Sequence, residues 1–432
     1  MEMLSKQNVN TNLKVLYVVG SCLTNNTSAN MSHNAYIQGL LENNCDVDII
    51  MASDSWGQKD SALPRWRSAN YFEYDSLSML NKIRNHISRN FLPVQTADST
   101  TSNCNQQRGG KNIKKTFRGL LKKIYYLFFS SDPLYPLERT WLRKASKFKS
   151  HKNYDLVISN SSPAASHKLV IKLVEKHHIF YKRWIQLWED PWYFDLYGGH
   201  SEKVKEEEHF LLRKANEIYY VSPLTLKYQQ EYYEDCAKKM KYIPLPYLDF
   251  SKGNGNSAAT EISFGYFGDY YSKTRNLLPF YQALCETGAK GYIYGDSDLA
   301  LNKTEKIDVS ARVTLDKLAK IQNQVGVLVH LCNLRGGQIP GKIYHYSATH
   351  KPILFILDGT LEEQQIIRKY FEKYQRYIFC SNDTESIKSA ITDISENIHS
   401  YTEGPVEEFS PKQVIKNLFG IIDFQANVPF NF

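Results

Sequence analysis

An α/β protein built from two doubly wound parallel sheets is what this chain of 432 residues predicts. Short, continuous apolar runs alternate with helix-like segments, the pattern of parallel strands buried on both faces and joined by crossover helices. The series occurs twice, and a stretch with proline, then glycine and serine, between Ile243 and Ser257 separates the two. The length is also natural for two domains, each able to bury its own core. The expected division is a first domain over residues 1–243, a linker over 244–262, a second domain over 263–410 and a C-terminal segment over 411–432 with a helix from about Pro411 to Ile422.

Leu13–Val19 reads as the first strand, ending at Gly20-Ser21, and the loop Ser28-Ala29-Asn30 leads into a helix from about Met31 to Glu42. Asp46–Met51 is the next strand, which completes a βαβ unit. The intervening turn lacks Gly-x-Gly-x-x-Gly, which argues against an NAD enzyme. From Asp54 to Gly110 the pattern weakens, and Ala97–Asn103 reads as a loop of small polar residues. Between Lys111 and Lys149 stand eleven cations against two acids, with Ile113, Phe117, Leu120, Leu121, Ile124, Leu127 and Phe128 at helical spacing. A basic amphipathic helix of this kind suits an anionic membrane surface, and equally the solvated side of an ordinary packed helix. No recognition motif accompanies the charge, so nucleic acid is not an expected partner.

Tyr154–Ser159 and Trp184–Trp188 are further strands, with a helix from about Pro163 to His177 between them. The first ends in Asn160-Ser161-Ser162-Pro163 and the second in Glu189-Asp190-Pro191-Trp192. Ligands of open α/β sheets sit beyond the carboxyl ends of the strands, so both endings point into a cleft. Asp190 could alternatively cap the following segment, a common role for Asp before Pro. Glu217–Ser222 closes the first series.

The second series opens with Ile262–Phe267, and the loop Gly268–Asn276, carrying Lys273 and Arg275, enters a helix. Asp296 and Asp298 in Tyr294-Gly295-Asp296-Ser297-Asp298 resemble a metal-holding Asp-x-Asp, but acids on such a turn after a strand are ordinary turn chemistry. After a helix over Leu315–Gln322, the apolar run Val325–Leu331 leads to Gly336-Gly337-Gln338-Ile339-Pro340-Gly341-Lys342, a short helical segment stopped by Lys351-Pro352, and a second buried run, Ile353–Leu357. Pro340 suits the first position of that helix, because its missing N–H would be unpaired there anyway. The glycines let an anion approach the exposed N–H groups, the helix dipole favours negative charge at the same point, and Lys342 adds a full positive charge. Such a loop is suited to a phosphate, although most Gly-rich turns are only turns. Segments over Thr360–Tyr374, Tyr377–Phe379 and Thr384–Ile398 complete the second domain.

Composition narrows the class. Hydrophobic content of 42% and aromatic content of 13% belong to a folded globular protein. No apolar run is long enough to cross a bilayer and Met1–Asn12 has no signal-peptide core, so a cytoplasmic location is expected. The seven cysteines are scattered with no Cys-x-x-Cys pair, which reads as reduced thiols and neither a disulfide frame nor a zinc site. A net charge of +8 favours an anionic partner, a nucleotide or a membrane surface.

The stretch Pro340-Gly341-Lys342-Ile343-Tyr344-x-Tyr346-x-Ala348-x-x-Lys351-Pro352-Ile353-Leu354 resembles the donor loop of retaining GT-B glycosyltransferases of family four, in the branch that builds bacterial surface polysaccharides. The resemblance implies two Rossmann-like domains facing a cleft, with the final helix crossing back onto the first. It implies a nucleotide-diphosphate sugar donor, a saccharide or polyprenyl-linked acceptor, and no metal or other cofactor, since cationic side chains and backbone amides take the metal's place. Arg275, with Lys273 as second choice, matches the loop cation that contacts the diphosphate, and Gly268 opens that loop. Gly336, Gly337, Gln338, Ile339, Pro340 and Gly341 would line the donor with Lys342. Asp190-Pro191-Trp192 matches a motif that sets Glu189 or Asp190 near the reacting sugar or the acceptor hydroxyl; His33, Ser21 and Asn160 fall on the acceptor side. Many members carry two glutamates eight positions apart, where this chain has Gly337 and His345; His345 could still bond a ribose hydroxyl through either ring nitrogen. Two other classes share the architecture: a sugar-nucleotide epimerase or phosphorylase, and a non-catalytic scaffold peripheral to the plasma membrane's inner face.

Overall fold

The computed structural model describes residues 12–53, 59–76, 133–196, 201–248, 262–335, 337–401 and 404–421. A seven-stranded sheet and a six-stranded sheet, parallel throughout, form its framework. The first contains β1 (Lys14–Val19), β2 (Asp46–Ala52), β3 (Asn70–Tyr74), β4 (Asn153–Asn160), β5 (Phe180–Trp188), β6 (Glu217–Tyr220) and β7 (Met240–Tyr242), in the order β3-β2-β1-β4-β5-β6-β7. The second contains β8 (Ser263–Phe267), β9 (Lys290–Tyr294), β10 (Ile307–Ser310), β11 (Val327–Leu331), β12 (Ile353–Leu357) and β13 (Tyr377–Ser381), in the order β10-β9-β8-β11-β12-β13. Each sheet reverses direction at its first strand, and this is where doubly wound sheets open a crevice.

The helices of the first part are α1 (Ser28–Glu42), α2 (Arg139–Ala145), α3 (Ala165–Glu175), α4 (Glu202–Lys214) and α5 (Pro223–Tyr232). Those of the second are α6 (Leu278–Thr287), α7 (Leu315–Gln324), α8 (Lys342–Tyr346), α9 (Leu361–Glu372) and α10 (Thr384–Asn397), followed by α11 (Pro411–Ile421). Local chemistry sets several of their starts. Thr27 caps α1 by accepting the Asn30 N–H at 3.1 Å, so the helix begins three residues before the expected Met31. Thr360 and Glu363 form a reciprocal capping box at α9. α8 begins at Lys342 and has five residues, where the sequence placed its start at Pro340.

The central strands are fully buried apolar runs such as Val-Leu-Val-His-Leu in β11 and Ile-Leu-Phe-Ile-Leu in β12. One core fills the outer layer of each domain, and a third extends from the first domain into the second. That shared core seats Tyr344 of α8, wholly buried, with its hydroxyl donating to the Val221 carbonyl at 3.2 Å. α11 returns to pack on α1 with Val414, Ile415 and Leu418 fully buried. Gly39 permits this seat, because a Cβ there would lie 2.2 Å from the Pro411 carbonyl oxygen.

Most of the basic amphipathic stretch, through residue 132, lies outside the described residues, as do most of the linker (249–261) and the tail from 422. Of the part that is described, α2 buries Trp141, Leu142 and Ala145, so it is a packed helix. No helix among the described residues is long and apolar enough to cross a membrane.

Candidate functional site

The carboxyl ends of β5, β8, β9 and β11 converge on one cavity of about 990 Å³ between the domains. Glu189, Asp190 and the start of α1 supply the first domain's side. Gly268, Arg275, Arg312, Gln338, Lys342 and His345 are among the residues on the other.

Arg275 is held in place by its neighbours. Its Nε and Nη2 donate to Asn333 Oδ1 at 3.1 and 2.7 Å, and Nη1 donates to the Asp269 carbonyl at 3.0 Å. Asn333 is itself fixed by donating to the Gln338 carbonyl at 2.9 Å. A planar guanidinium oriented in this way is prepared for bidentate contact with a phosphate. Arg312 is paired with Asp269 and also lines the cavity. The half-buried Lys342 amine is pushed down to about 8, mainly by burial, with Asp269 opposing and Arg312 and Arg275 adding to the fall. These cations repel one another in a cavity that a polyanion would neutralise.

The other wall behaves differently. Burial raises the Glu189 carboxyl well above the usual range, with Asp190 adding to the shift, and Glu189 Oε1 has no hydrogen-bond partner among the described residues. Asp190 is raised to about 6 by burial and by Asp195, against the opposing hydrogen bond from Gln338 and the charge of Arg275. Gln338 ties the walls together: its Nε2 donates to Asp190 Oδ1 at 2.5 Å and Asp195 Oδ1 at 3.1 Å, while its Oε1 accepts the Leu196 N–H at 3.1 Å.

His345 lines the cavity, and its Nδ1 accepts the Leu248 N–H at 3.3 Å. That bond assigns the ring proton to Nε2, so of the two nitrogens expected to serve a ribose only Nε2 is available, as a donor. Burial, with the Lys342 charge adding, holds the imidazole down at about 4, so it is neutral near pH 7.

The cavity therefore gathers Arg275, Lys342, Glu189, Asp190, Gly268, Gln338, Ile339, Pro340, Gly341 and His345 from the expected set. Gly336 lies outside the described residues. The remaining five do not line it. Gly337 turns away from the donor side: at φ +70° its carbonyl accepts from Ser222 Oγ at 2.6 Å, and a Cβ there would meet Leu224 Cβ at 2.9 Å. It is a close-packing residue between domains, and no glutamate fits its place. Lys273 is exposed on the outside of its loop. Ser21 spends its hydroxyl on Asn30 Oδ1 at 2.7 Å, and Asn160 is buried, donating to the Tyr17 hydroxyl at 2.8 Å. His33 is buried behind Glu189, with Nδ1 3.5 Å from Oε1 yet outside bonding geometry, and burial holds its imidazole at about 4. Burial thus disfavours charge on both groups there, and the Tyr17 hydroxyl lies 3.5 Å from the same Nδ1. Arg312, Asp269 and Asn333 were not singled out from sequence; only Asp269, in the loop after β8, stood in a stretch already marked.

The acids of the turn after β9 are engaged by protein groups. Asp298 accepts from the Ser272 N–H at 2.8 Å and its hydroxyl at 2.7 Å, and Asp296 accepts the Arg312 N–H at 3.3 Å. Elsewhere His209, Asp235 and Cys236 approach one another, but Asp235 already accepts His209 Nε2 at 2.7 Å and Arg213 Nε at 2.8 Å, and the guanidinium opposes a cation.

No family model and no curated protein matches the sequence. Solved structures match in three dimensions. Anabaena Alr3699/HepE in complex with UDP aligns over 94% of this chain and 94% of its own at 9% identity and a TM-score of 0.51. An α-glucosyltransferase in complex with UDP and a 13-mer DNA containing an HMU base aligns over 96% of each chain at 10% identity and a TM-score of 0.51. The E. coli trehalose-6-phosphate protein bound with UDP-2-fluoro-glucose aligns over 96% of this chain and all 100% of its own, at 11% identity and a TM-score of 0.51. At these identities the likeness is one of architecture: the chain has the GT-B fold, two Rossmann-like parallel-sheet domains facing a cleft.

Proposed function

We propose that the chain is a glycosyltransferase that moves a sugar from a nucleoside diphosphate to a saccharide or polyprenyl-linked acceptor. One observation carries the reading: Arg275, Arg312 and Lys342 from one domain share a cavity with the carboxyls of Glu189 and Asp190 from the other. The likeness in fold to proteins found with UDP and UDP-2-fluoro-glucose supports a diphosphate on the cationic side. As the glycosidic bond breaks, charge builds on the leaving diphosphate, and Arg275 and Lys342 stabilise it where it develops. With retention of configuration, the acceptor hydroxyl's proton passes to a leaving phosphate oxygen on the same face of the sugar. No strong protein base is then needed, which suits a wall whose carboxyls burial holds towards the neutral form. The reaction is metal-independent in this reading. Its setting is surface-polysaccharide assembly in the cytoplasm, with the basic residues of 111–123, ahead of the packed α2, on an anionic membrane face.

A thermal-shift screen of UDP, GDP, ADP, CDP and dTDP tests the reading. A ligand at a hundred times its dissociation constant stabilises the native state by about 2.7 kcal/mol, which is a shift of several degrees. At least one nucleotide should stabilise the protein, and Lys342→Met should reduce the shift. No stabilisation by any of them would overturn the proposal.

A further inference from the structure

We propose that Gln338 is a positioning residue for Asp190, fixing that carboxyl group from the opposite side of the cavity. The inference rests on the transferase reading and deepens it, by naming what couples the two walls. Both residues line the cavity, Asp190 exposed and Gln338 only 7% exposed. The whole amide of Gln338 is engaged by the first domain. Its Nε2 serves Asp190 Oδ1 at 2.5 Å and Asp195 Oδ1 at 3.1 Å, and Oε1 takes the Leu196 N–H at 3.1 Å. Turned over, the amide would set Oε1 against two acids and Nε2 against an N–H, so only this orientation satisfies all three. The backbone of the same residue works in the other direction. Its carbonyl accepts Asn333 Nδ2 at 2.9 Å, and Asn333 Oδ1 accepts Arg275 Nε and Nη2 at 3.1 and 2.7 Å. An unbroken chain of hydrogen bonds thus runs from the guanidinium of one wall to the carboxyl of the other.

A lysine would fasten the domains at this point as well, but it would cancel the charge of the acids. A neutral double donor instead draws Asp190 and Asp195 onto one nitrogen and leaves their charges in place. The influences on Asp190 then divide by domain. Burial and Asp195 raise its carboxyl to about 6, while the Gln338 bond and the Arg275 charge, both from the second domain, oppose the rise. Glu189, the preceding residue, is the other acid beside it. Asp195 does not line the cavity and Asp190 does, so Asp190 is the carboxyl that a substrate hydroxyl meets. Its Oδ1 takes the amide bond, which leaves the second oxygen to accept from that hydroxyl.

Carboxyl ¹³C NMR of the full chain labelled at aspartate tests this, with the Asp190 resonance identified by its absence in Asp190→Asn. Its midpoint should lie near 6 in the unaltered chain. It should rise in Gln338→Met, which keeps the length of the side chain and loses the donor that favours the charged form. It should rise further in Gln338→Glu, which sets a third acid against the pair. In the proposed reaction, Gln338→Met should lower turnover about tenfold, the order expected for one hydrogen bond to a charged group. The double variant with Asp190→Asn should be no slower than Asp190→Asn alone, since one residue acts through the other. The thermal shift given by a nucleoside diphosphate should persist in Gln338→Met, because Arg275 is oriented through the Gln338 carbonyl, which the variant keeps. An unchanged midpoint, additive losses in the double variant, or loss of the nucleotide shift in Gln338→Met would each overturn the proposal. The titration involves neither nucleotide nor sugar, so its failure and the failure of the transferase reading are separate results.

Discussion

The wall that the first domain gives to the cavity holds carboxyls whose charge is disfavoured by their surroundings, whereas the second domain's wall gathers three cations, Arg275, Arg312 and Lys342. Glu189 and Asp190 are pushed towards their protonated forms by burial and by neighbouring acids, and the imidazole behind them is neutral. Arg275 is instead held in place by Asn333, and Arg312 by Asp269. In the proposed reaction, the difference means that recognition of the diphosphate is built into one domain only.

The sharpest way to break this contrast is to remove the cations. In the proposed transferase reaction, Lys342→Met and Arg275→Ala should each lower turnover about a hundredfold, the order of 3 kcal/mol lost with one charged donor to a developing anion. Thermal melts should separate the two variants. Arg275→Ala strips Asn333 Oδ1 of both its donors and should lower the melting temperature, while Lys342→Met removes an amine that burial already disfavours and should not. Normal turnover in both variants would show that the contrast has no catalytic role.

A second variant asks whether the walls must be held together for the contrast to matter. Gly337→Ala places a side chain at φ +70° against Leu224 and should cost about 1–3 kcal/mol, read as a lower midpoint in denaturant. An unchanged midpoint would mean that the domains part freely at this contact.

The third test follows a proton. The Lys342 amine stands at about 8 in the free protein against an ordinary 10.5, and a bound diphosphate should raise it. Binding of UDP should therefore take up a proton as pH rises above 8, and affinity should fall towards the ordinary lysine range by at most about tenfold per pH unit. Calorimetry in buffers of unlike ionisation enthalpy measures that uptake, and Lys342→Met should remove it. The smallest effect is expected opposite. Because burial pushes the Glu189 carboxyl well above its usual range, Glu189→Gln should change turnover only a few-fold between pH 6 and 8; a loss comparable with that of Lys342→Met would show the carboxylate acting as a charged base.

The sheets were legible from sequence wherever both faces of a strand are covered, because burial on two sides demands the continuous apolar runs of β1, β11 and β12. Edge strands were not, apart from β13, met as the segment Tyr377–Phe379. β3 reads Asn-Tyr-Phe-Glu-Tyr with no fully buried residue, and β7 has only three residues, so neither leaves a run to find. In the site, Glu189 and Asp190 were found because they follow directly on the end of β5, and Arg275 and Lys342 because their loops resemble the donor loops of a known family. Arg312 was missed because its approach depends on how the segment after β10 folds over Asp269, a contact across forty-three residues. Gly337 was misassigned for a different reason. A left-handed backbone requires glycine in the same way whether a ligand or Leu224 crowds it, and only the coordinates distinguish the two.

The return of α11 onto α1 has a mechanical consequence. The chain passes between the domains once after β7 and again before α11, so two strands of polypeptide join the same two bodies. One connection would let them swivel freely, but two define a hinge line and restrict opening to rotation about it. α1 spans this mechanism: its first residues line the cavity, and Gly39 near its other end seats the returning helix. A larger side chain at Gly39 would unpin one end of that hinge and convert an opening along one path into a loose tether.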